Sequence, residues 1–119
     1  MPCPLPATRT GAARFAPEMM DLVRAQVALA AKAKPDDWEA QRSLQYLPRI
    51  VARVARGPIP QPLVDGLKDP NPVVRRIVVE AIELSGNPDA AQSVEPLTHD
   101  PDPAVRKASE AALAFLGSA

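Results

Sequence analysis

DPNPVVRRIVVEAIELSGNP, residues 69–88, returns 31 positions later as DPDPAVRKASEAALAFLGSA, residues 100–119. At this offset the two copies share seven identical pairs: Asp69 and Asp100, Pro70 and Pro101, Pro72 and Pro103, Val74 and Val105, Arg75 and Arg106, Ala81 and Ala112, and Gly86 and Gly117. A fixed period of roughly 20 to 50 residues is typical of repeat units that stack side by side. The second half of the chain therefore predicts a repeat architecture.

Each copy reads as a turn followed by a helix. Asn71 can cap the helix with its side-chain oxygen, and Pro72 occupies the first helical position, where no amide hydrogen is needed. Gly86 follows the last turn, where a left-handed residue is common. The second copy has Asp102, Pro103 and Gly117 at the same places.

Taken separately, the residue types of the two copies favour different secondary structures. VVRRIVV, residues 73–79, is rich in β-branched residues and suits a buried strand. AVRKASEAALAFL, residues 104–116, is rich in helix formers, and equivalent repeat positions adopt one structure. We therefore predict helices in both copies, each with a buried apolar stripe. These core residues are Val74, Ile77, Ala81, Ile82, Val105, Ala108, Ala112 and Leu113.

Upstream of the repeats, apolar residues again recur at helical spacing. Met19, Leu22, Val23, Val27 and Ala30 predict an amphipathic helix over about residues 17–33. A break at 35–37 precedes a second helical stretch, whose apolar side comprises Leu44, Leu47, Ile50, Val51 and Val54. Pro48 lies inside this stretch, which is either kinked or divided into two shorter helices. Residues 1–16 are predicted to be a flexible segment, and residues 17–119 a single domain.

The pattern D-P-[ND]-P-x-V-R, followed by a small-residue helix that ends in glycine, resembles the HEAT-like repeat of the bilin-lyase type over residues 61–117. The resemblance implies an all-α fold, a short right-handed α-solenoid of about three antiparallel helical hairpins. It also implies a ladder between units, in which an Asp and an Arg six residues later form side-chain hydrogen bonds. The pairs with this spacing are Asp69 with Arg75, Asp100 with Arg106 and, in a degenerate first unit, Asp36 with Arg42.

Composition excludes several classes of protein. The 119 residues, about the size of one domain, include one cysteine, one histidine and four aromatic residues. Cys3 can form no internal disulfide, and the chain cannot supply the usual four Cys or His ligands of structural zinc. We expect no metal and no other cofactor. No uncharged run approaches the ~20 apolar residues of a membrane span, and the first residues lack a signal-peptide core, so we expect a cytoplasmic protein.

Motifs that support catalysis are absent from the sequence. There is no phosphate-binding G-x-x-x-x-G-K-[ST], no G-x-G-x-x-G, no G-x-S-x-G and no H-E-x-x-H. We interpret His99 as a solvated turn residue, and Cys3 as inert because no basic residue adjoins it. We therefore predict no catalytic residues and no enzymatic activity.

Charge is distributed unevenly along the chain although the total is zero. Residues 1–58 carry nine Lys or Arg and five Asp or Glu, a net of +4, whereas residues 59–119 carry five and nine, a net of −4. Arg42, Arg49, Arg53 and Arg56 would lie within about 60° of one another on an unbroken helix. The two largest aromatic residues, Trp38 and Tyr46, lie in the same segment, as interface residues or as packing residues at the end of the solenoid.

These patterns predict a noncatalytic protein–protein interaction module, an adaptor or accessory subunit of a larger intracellular complex. The expected docking surface is the groove formed by the second helix of each unit, with the four arginines, Trp38 and Tyr46 as its contact residues. The partner is expected to be a protein with an acidic surface, and an incompletely capped C-terminal helix suggests self-association. Two alternatives stay open: a bilin-lyase-like chaperone subunit and a DNA-binding HEAT-like protein. Nucleic acid is the less expected partner because the pI is near 6.6.

Overall fold

The computed structural model describes residues 15–34, 36, 38–55 and 59–117. Within these ranges the chain forms α-helices and 3₁₀ turns and no strand, so the all-α prediction is confirmed. The helices are α1 Ala16–Lys32, α2 Trp38–Val51, α3 Gln61–Gly66, α4 Pro72–Ser85, α5 Ala91–Val94 and α6 Pro103–Gly117. The 3₁₀ turns are Ala52–Val54, Pro88–Ala90 and Glu95–His99.

Side-chain oxygens cap the two long repeat helices as the sequence predicts. Asn71 Oδ1 accepts a hydrogen bond from the Val73 amide at 2.9 Å, and Asp102 Oδ2 accepts one from the Val105 amide at 3.0 Å. Gly86 ends α4 with a φ of 68°, a left-handed conformation that glycine adopts without steric cost. Local signals at both ends of α4 therefore override the strand preference of residues 73–79.

The second helical stretch passes through Pro48 without dividing. The α-helix runs to Val51, and one 3₁₀ turn extends the helical path to Val54. Pro48 itself is buried, so its ring contributes apolar surface where its missing amide removes one hydrogen bond. The predicted end of this stretch at residues 57–58, the side chain of Val54 and the predicted flexible segment up to residue 14 lie outside the described part of the chain.

The helices enclose one hydrophobic core with α4 near its centre. Helix α4 packs against α2 on one side and α6 on the other, while α1 contacts α2, α3 and α4. Six of the eight predicted core residues are buried, and Ala108 and Leu113 of the last helix are half-buried. Val78 and Val79 are buried as well, because α4 has neighbours on several sides.

The last hairpin has an irregular first arm. Residues 88–99 form a 3₁₀ turn, the single-turn helix α5 and a second 3₁₀ turn. Pro88 is the first residue of one 3₁₀ turn and Pro96 the second residue of the other, and proline lacks the amide needed to continue a regular helix. This arm still packs against α6 and completes the third helical hairpin. That residues 17–119 are a single domain stays a prediction.

Candidate functional site

The repeated Asp and Arg residues form a ladder inside the stack of turns. Arg75 donates from Nη1 to the carbonyl oxygen of Asp69 at 2.7 Å and from Nη2 to Asp100 Oδ1 at 2.9 Å. Its Nε lies 2.8 Å from the other carboxylate oxygen of Asp100. One guanidinium thus joins its own turn to the turn of the next unit. Arg106 makes the equivalent contact within the next turn, where its Nη1 donates to the carbonyl oxygen of Asp100 at 2.8 Å.

The carboxyl group of Asp100 is buried and yet stays ionised more readily than usual. Burial by itself raises the pKa of Asp100. The hydrogen bonds from Arg75 and from the Asp102 amide, together with the charges of Arg75 and Arg106, act in the opposite direction, and the net pKa lies below the usual 3.8. The pairing therefore stabilises the charged form, as a structural ion pair requires.

The first rung of this ladder differs from the sequence-based expectation. Asp69 receives its hydrogen bond from Arg24 Nε in α1, at 2.9 Å. The spacing of Asp36 and Arg42 suggested a similar pair, but the Arg42 guanidinium contacts Trp38 and Tyr46 instead. Arg24 was missed because its partner lies 45 residues away and follows no repeat spacing.

The exposed side of α2 brings together most of the predicted partner-binding residues. They form the α2 stripe, which we define as Trp38, Arg42, Tyr46, Arg49 and Arg53. All five are exposed. The first four lie on α2, where steps of three or four residues keep them on one side of a helix of 3.6 residues per turn, and Arg53 follows in the 3₁₀ turn after α2. Leu47 and Val51 are buried on the other side. Arg56 lies outside the described residues.

Arg42 is held between the two aromatic rings of the α2 stripe. Its guanidinium carbon lies 5.9 Å from the centroid of the Trp38 ring and 5.6 Å from that of the Tyr46 ring. Arg42 Nη2 also donates a hydrogen bond to the Tyr46 hydroxyl at 3.2 Å. Cation–π contacts of this kind restrict the orientation of the guanidinium, while its other N–H groups stay available as hydrogen-bond donors.

The aromatic residues are therefore surface residues and not core packing. Trp38 is 65% exposed and Tyr46 is 45% exposed. Beside them lies an open depression lined by Asp36, Trp38, Gln41, Arg42 and Gln45. The lining thus combines an aromatic ring, amide and cationic donors and the carboxylate of Asp36. The sequence left packing and interface interpretations of the two aromatic residues open, and that they bind a partner stays a prediction.

Among the described residues no group of three or more His, Cys, Asp and Glu is placed to hold a metal ion. None of the described helices is both long and apolar enough to cross a lipid bilayer. His99 is exposed in its turn, and Cys3 lies outside the described ranges.

A family model described as HEAT repeats matches residues 60–119, which is just over half of the chain. The chain belongs to the HEAT-repeat family. Neither a curated protein nor a solved structure matches it significantly. HEAT repeats generally mediate protein–protein interaction and are typically noncatalytic scaffolds, so the match supports a protein partner. The bilin-lyase subtype and the absence of activity stay predictions.

One exposed feature of this HEAT-repeat protein was not anticipated. Leu22 is one of the apolar residues whose spacing predicts the first helix, but it is exposed together with Phe15 and Leu29. Each lies seven residues from the next, a spacing visible in the sequence. Apolar residues lie on two sides of α1, and only one of these sides is buried. The sequence pattern alone could not show which side that is.

Proposed function

We propose that this HEAT-repeat protein is a noncatalytic interaction module, an adaptor or accessory subunit that binds an acidic surface of another protein. The α2 stripe is the proposed docking site. The observation that supports it is Arg42, held between Trp38 and Tyr46 on the exposed side of α2. Large aromatic residues and arginine are the residue types enriched at the centres of protein interfaces.

The residues of the α2 stripe would contribute to binding in different ways, according to their side-chain chemistry. Arg42 is restricted by its ring contacts, so less conformational entropy is lost when it binds a carboxylate. Arg49 and Arg53 extend the positive charge along the same side and would increase the association rate with an acidic partner. When the partner binds, the apolar faces of the Trp38 and Tyr46 rings would be removed from water, which favours the complex.

The experiment is a charge reversal on the α2 stripe. A tagged chain is used to purify its partner from the native host, the partner is identified, and binding of the two purified proteins is measured by calorimetry. Arg42→Glu, Arg49→Glu and Arg53→Glu, combined, should weaken binding at least about a hundredfold, because like charges now face each other. Raising the salt concentration should weaken binding of the unaltered chain.

A matched control keeps the change in net charge and moves it elsewhere. It combines three charge reversals at exposed lysines outside the stripe: Lys32→Glu, Lys68→Glu and Lys107→Glu. The control should bind nearly as well as the unaltered protein. If both triple variants lose the same affinity for the partner, the loss is caused by the change in net charge, and the α2 stripe is not the docking site. Binding to DNA at low salt, with no protein partner, would favour the DNA-binding alternative.

A further inference from the structure

Arg75 and Arg106 occupy equivalent positions in the two repeat copies, and their guanidiniums are anchored in the same way. In each copy Nη1 donates to the carbonyl oxygen of the aspartate six residues earlier, at 2.7 Å for Arg75 and 2.8 Å for Arg106. Arg106 Nη1 also donates to the carbonyl oxygen of Pro101 at 3.2 Å. Because a guanidinium is planar and rigid, a shared anchor gives its other N–H groups a similar direction in both copies.

The remaining donors of Arg75 show what such a guanidinium binds in this fold. Nη2 donates to Asp100 Oδ1 at 2.9 Å, and Nε lies 2.8 Å from Asp100 Oδ2. The amide of Asp102 also donates to Oδ1 and so orients the same carboxylate. The ligand of Arg75 is therefore an aspartate at the start of a turn, which contacts the guanidinium through both of its oxygens.

Arg106 has the corresponding donors, Nε and Nη2, and neither contacts an acceptor in the part of the chain that the structure describes. Glu110 lies one turn later on α6, yet it forms no ion pair with Arg106 within these residues. The side chain of Arg106 is half-buried and is held by two backbone carbonyl groups. A side chain restricted in this way loses less conformational entropy when it binds a carboxylate.

The helix face beside Arg106 indicates which kind of partner fits there. On α4 the residues four and seven positions after the arginine are Val79 and Ile82, and both are fully buried. On α6 the equivalent residues are Glu110, which is exposed, and Leu113, which is half-buried. A further apolar helix packed over this face would bury the charge of Glu110 at a cost. The negative charge of Glu110 also disfavours a strongly acidic surface, so a single aspartate fits better.

A second copy of this chain is not the partner that these contacts favour. Its two turn aspartates, Asp69 and Asp100, already bind Arg24 and Arg75 of the same copy. Either would have to break a rung of its own ladder before it could bind Arg106. The more favourable ligand is an aspartate whose carboxylate is not paired within its own protein.

We propose that Arg106 binds the carboxylate of a single turn aspartate of another protein, through Nε and Nη2, as Arg75 binds Asp100. The proposed site lies on α6 and takes one aspartate, whereas the α2 stripe is proposed to bind an acidic surface. Each proposal can fail without the other, because they use different helices and are tested with different variants.

The test is an NMR titration of the full chain with a peptide of sequence Asp-Pro-Asn-Pro, blocked at both ends, which copies the turn at residues 69–72. The Nε–Hε signal of each arginine reports on its own guanidinium. That of Arg106 should shift and saturate with a dissociation constant on the order of 10 mM, because one charge-assisted pair contributes modestly in water. The peptide Asn-Pro-Asn-Pro, which lacks the carboxylate, should cause no such shift.

Matched variants separate the site from net charge. Arg106→Gln should abolish saturable binding, whereas Lys107→Gln removes the same charge from the exposed neighbour and should change the dissociation constant less than about twofold. Glu110→Gln should tighten binding, because it removes a repulsive charge beside the carboxylate. Circular dichroism shows whether each variant folds, and the Arg106 signal of the unaltered chain decides the question if Arg106→Gln does not.

Three outcomes would overturn the proposal. The first is an Arg106 signal that does not move at peptide concentrations well above the expected dissociation constant. The second is an equal shift with the asparagine peptide, and the third is equal loss of binding in Lys107→Gln. A shift at Arg42 with none at Arg106 belongs to the first outcome and would assign the peptide to the α2 stripe.

Discussion

Arg75 Nε lies 2.8 Å from Asp100 Oδ2, and the two side chains are 13% and 5% exposed. Twenty-five residues separate the pair in the chain, so it joins two successive turns of the stack. The equivalent rung between Arg24 and Asp69 is nearly as short, 2.9 Å, but its arginine is 42% exposed. The two rungs therefore differ in burial and in the number of contacts that the arginine makes with the aspartate.

This difference predicts unequal costs for the same substitution. Both aspartates accept a hydrogen bond from the backbone amide two residues later, and asparagine keeps an oxygen that can do so. Asp100→Asn leaves Arg75 buried without a counter-charge and should cost about 2–4 kcal/mol. Asp69→Asn should cost less than about 1 kcal/mol, because Arg24 regains water. Urea unfolding followed by circular dichroism measures both, and equal costs would contradict the assignment.

The lowered pKa of Asp100 predicts how stability depends on pH. Because the folded-state pKa lies below 3.8, folding favours the charged carboxylate. The resulting stability is fully present above the unfolded-state pKa and is lost as the pH falls through the folded-state pKa. Unfolding free energies measured from pH 6 to pH 2 should decrease more steeply for the unaltered chain than for Asp100→Asn. Parallel curves would show that another carboxyl group causes the acid sensitivity.

Gly86 should tolerate few side chains although space is open around it. A Cβ there would meet no atom within 4 Å, so the cost arises from the backbone φ of 68° alone. Gly86→Ala should lower the free energy of unfolding by about 1–2 kcal/mol. Gly86→Asn should cost less, because asparagine adopts the left-handed region more readily. If both substitutions cost the same, the left-handed conformation is not the cause.

Gly66 presents the opposite case, in which the backbone is ordinary and space is short. A Cβ at this position would lie 2.6 Å from Met20 Cε and 3.0 Å from Val78 Cγ2. Gly66→Ala should be partly accommodated by movement of the flexible Met20 side chain. Gly66→Val should overpack the contact of α1, α3 and α4 and cost about 1–3 kcal/mol. Combining Gly66→Val with Met20→Ala should cost less than the sum of the two single substitutions, because the smaller side chain at position 20 makes room for the valine, and thermal unfolding would detect the difference.

Trp38 is the chain's only tryptophan, so its fluorescence reports on the α2 stripe. Because the ring is largely exposed, we expect an emission maximum typical of water and strong quenching by acrylamide. Binding of the acidic partner should shift the emission to shorter wavelength and reduce quenching. Leu84→Glu, at an exposed leucine of α4 outside the α2 stripe, should leave this response intact. Unchanged quenching in a complex shown by calorimetry would place the partner elsewhere.

Several features were predictable because they depend on neighbouring residues. Caps at Asn71 and Asp102, proline at the first helical position and glycine after α4 act within one turn, and a 31-residue repeat makes each signal appear twice. The sequence alone leaves the stretch through Pro48 as either a kinked helix or two shorter helices, because a missing hydrogen bond can bend a helix or end it. The structure shows a single α-helix from Trp38 to Val51.

The amino-acid sequence determined that the chain is helical and where its repeat helices begin, and its resemblance to HEAT-like repeats implied a ladder of repeated Asp and Arg residues. Only the tertiary structure decided that Arg24 forms the first rung, that Arg42 contacts two rings, and that Leu22 is exposed while Val23 is buried. Local hydrogen bonding and backbone geometry depend on residues within a few positions of each other. Pairing and exposure depend on which distant helix packs alongside, and no short pattern carries that information.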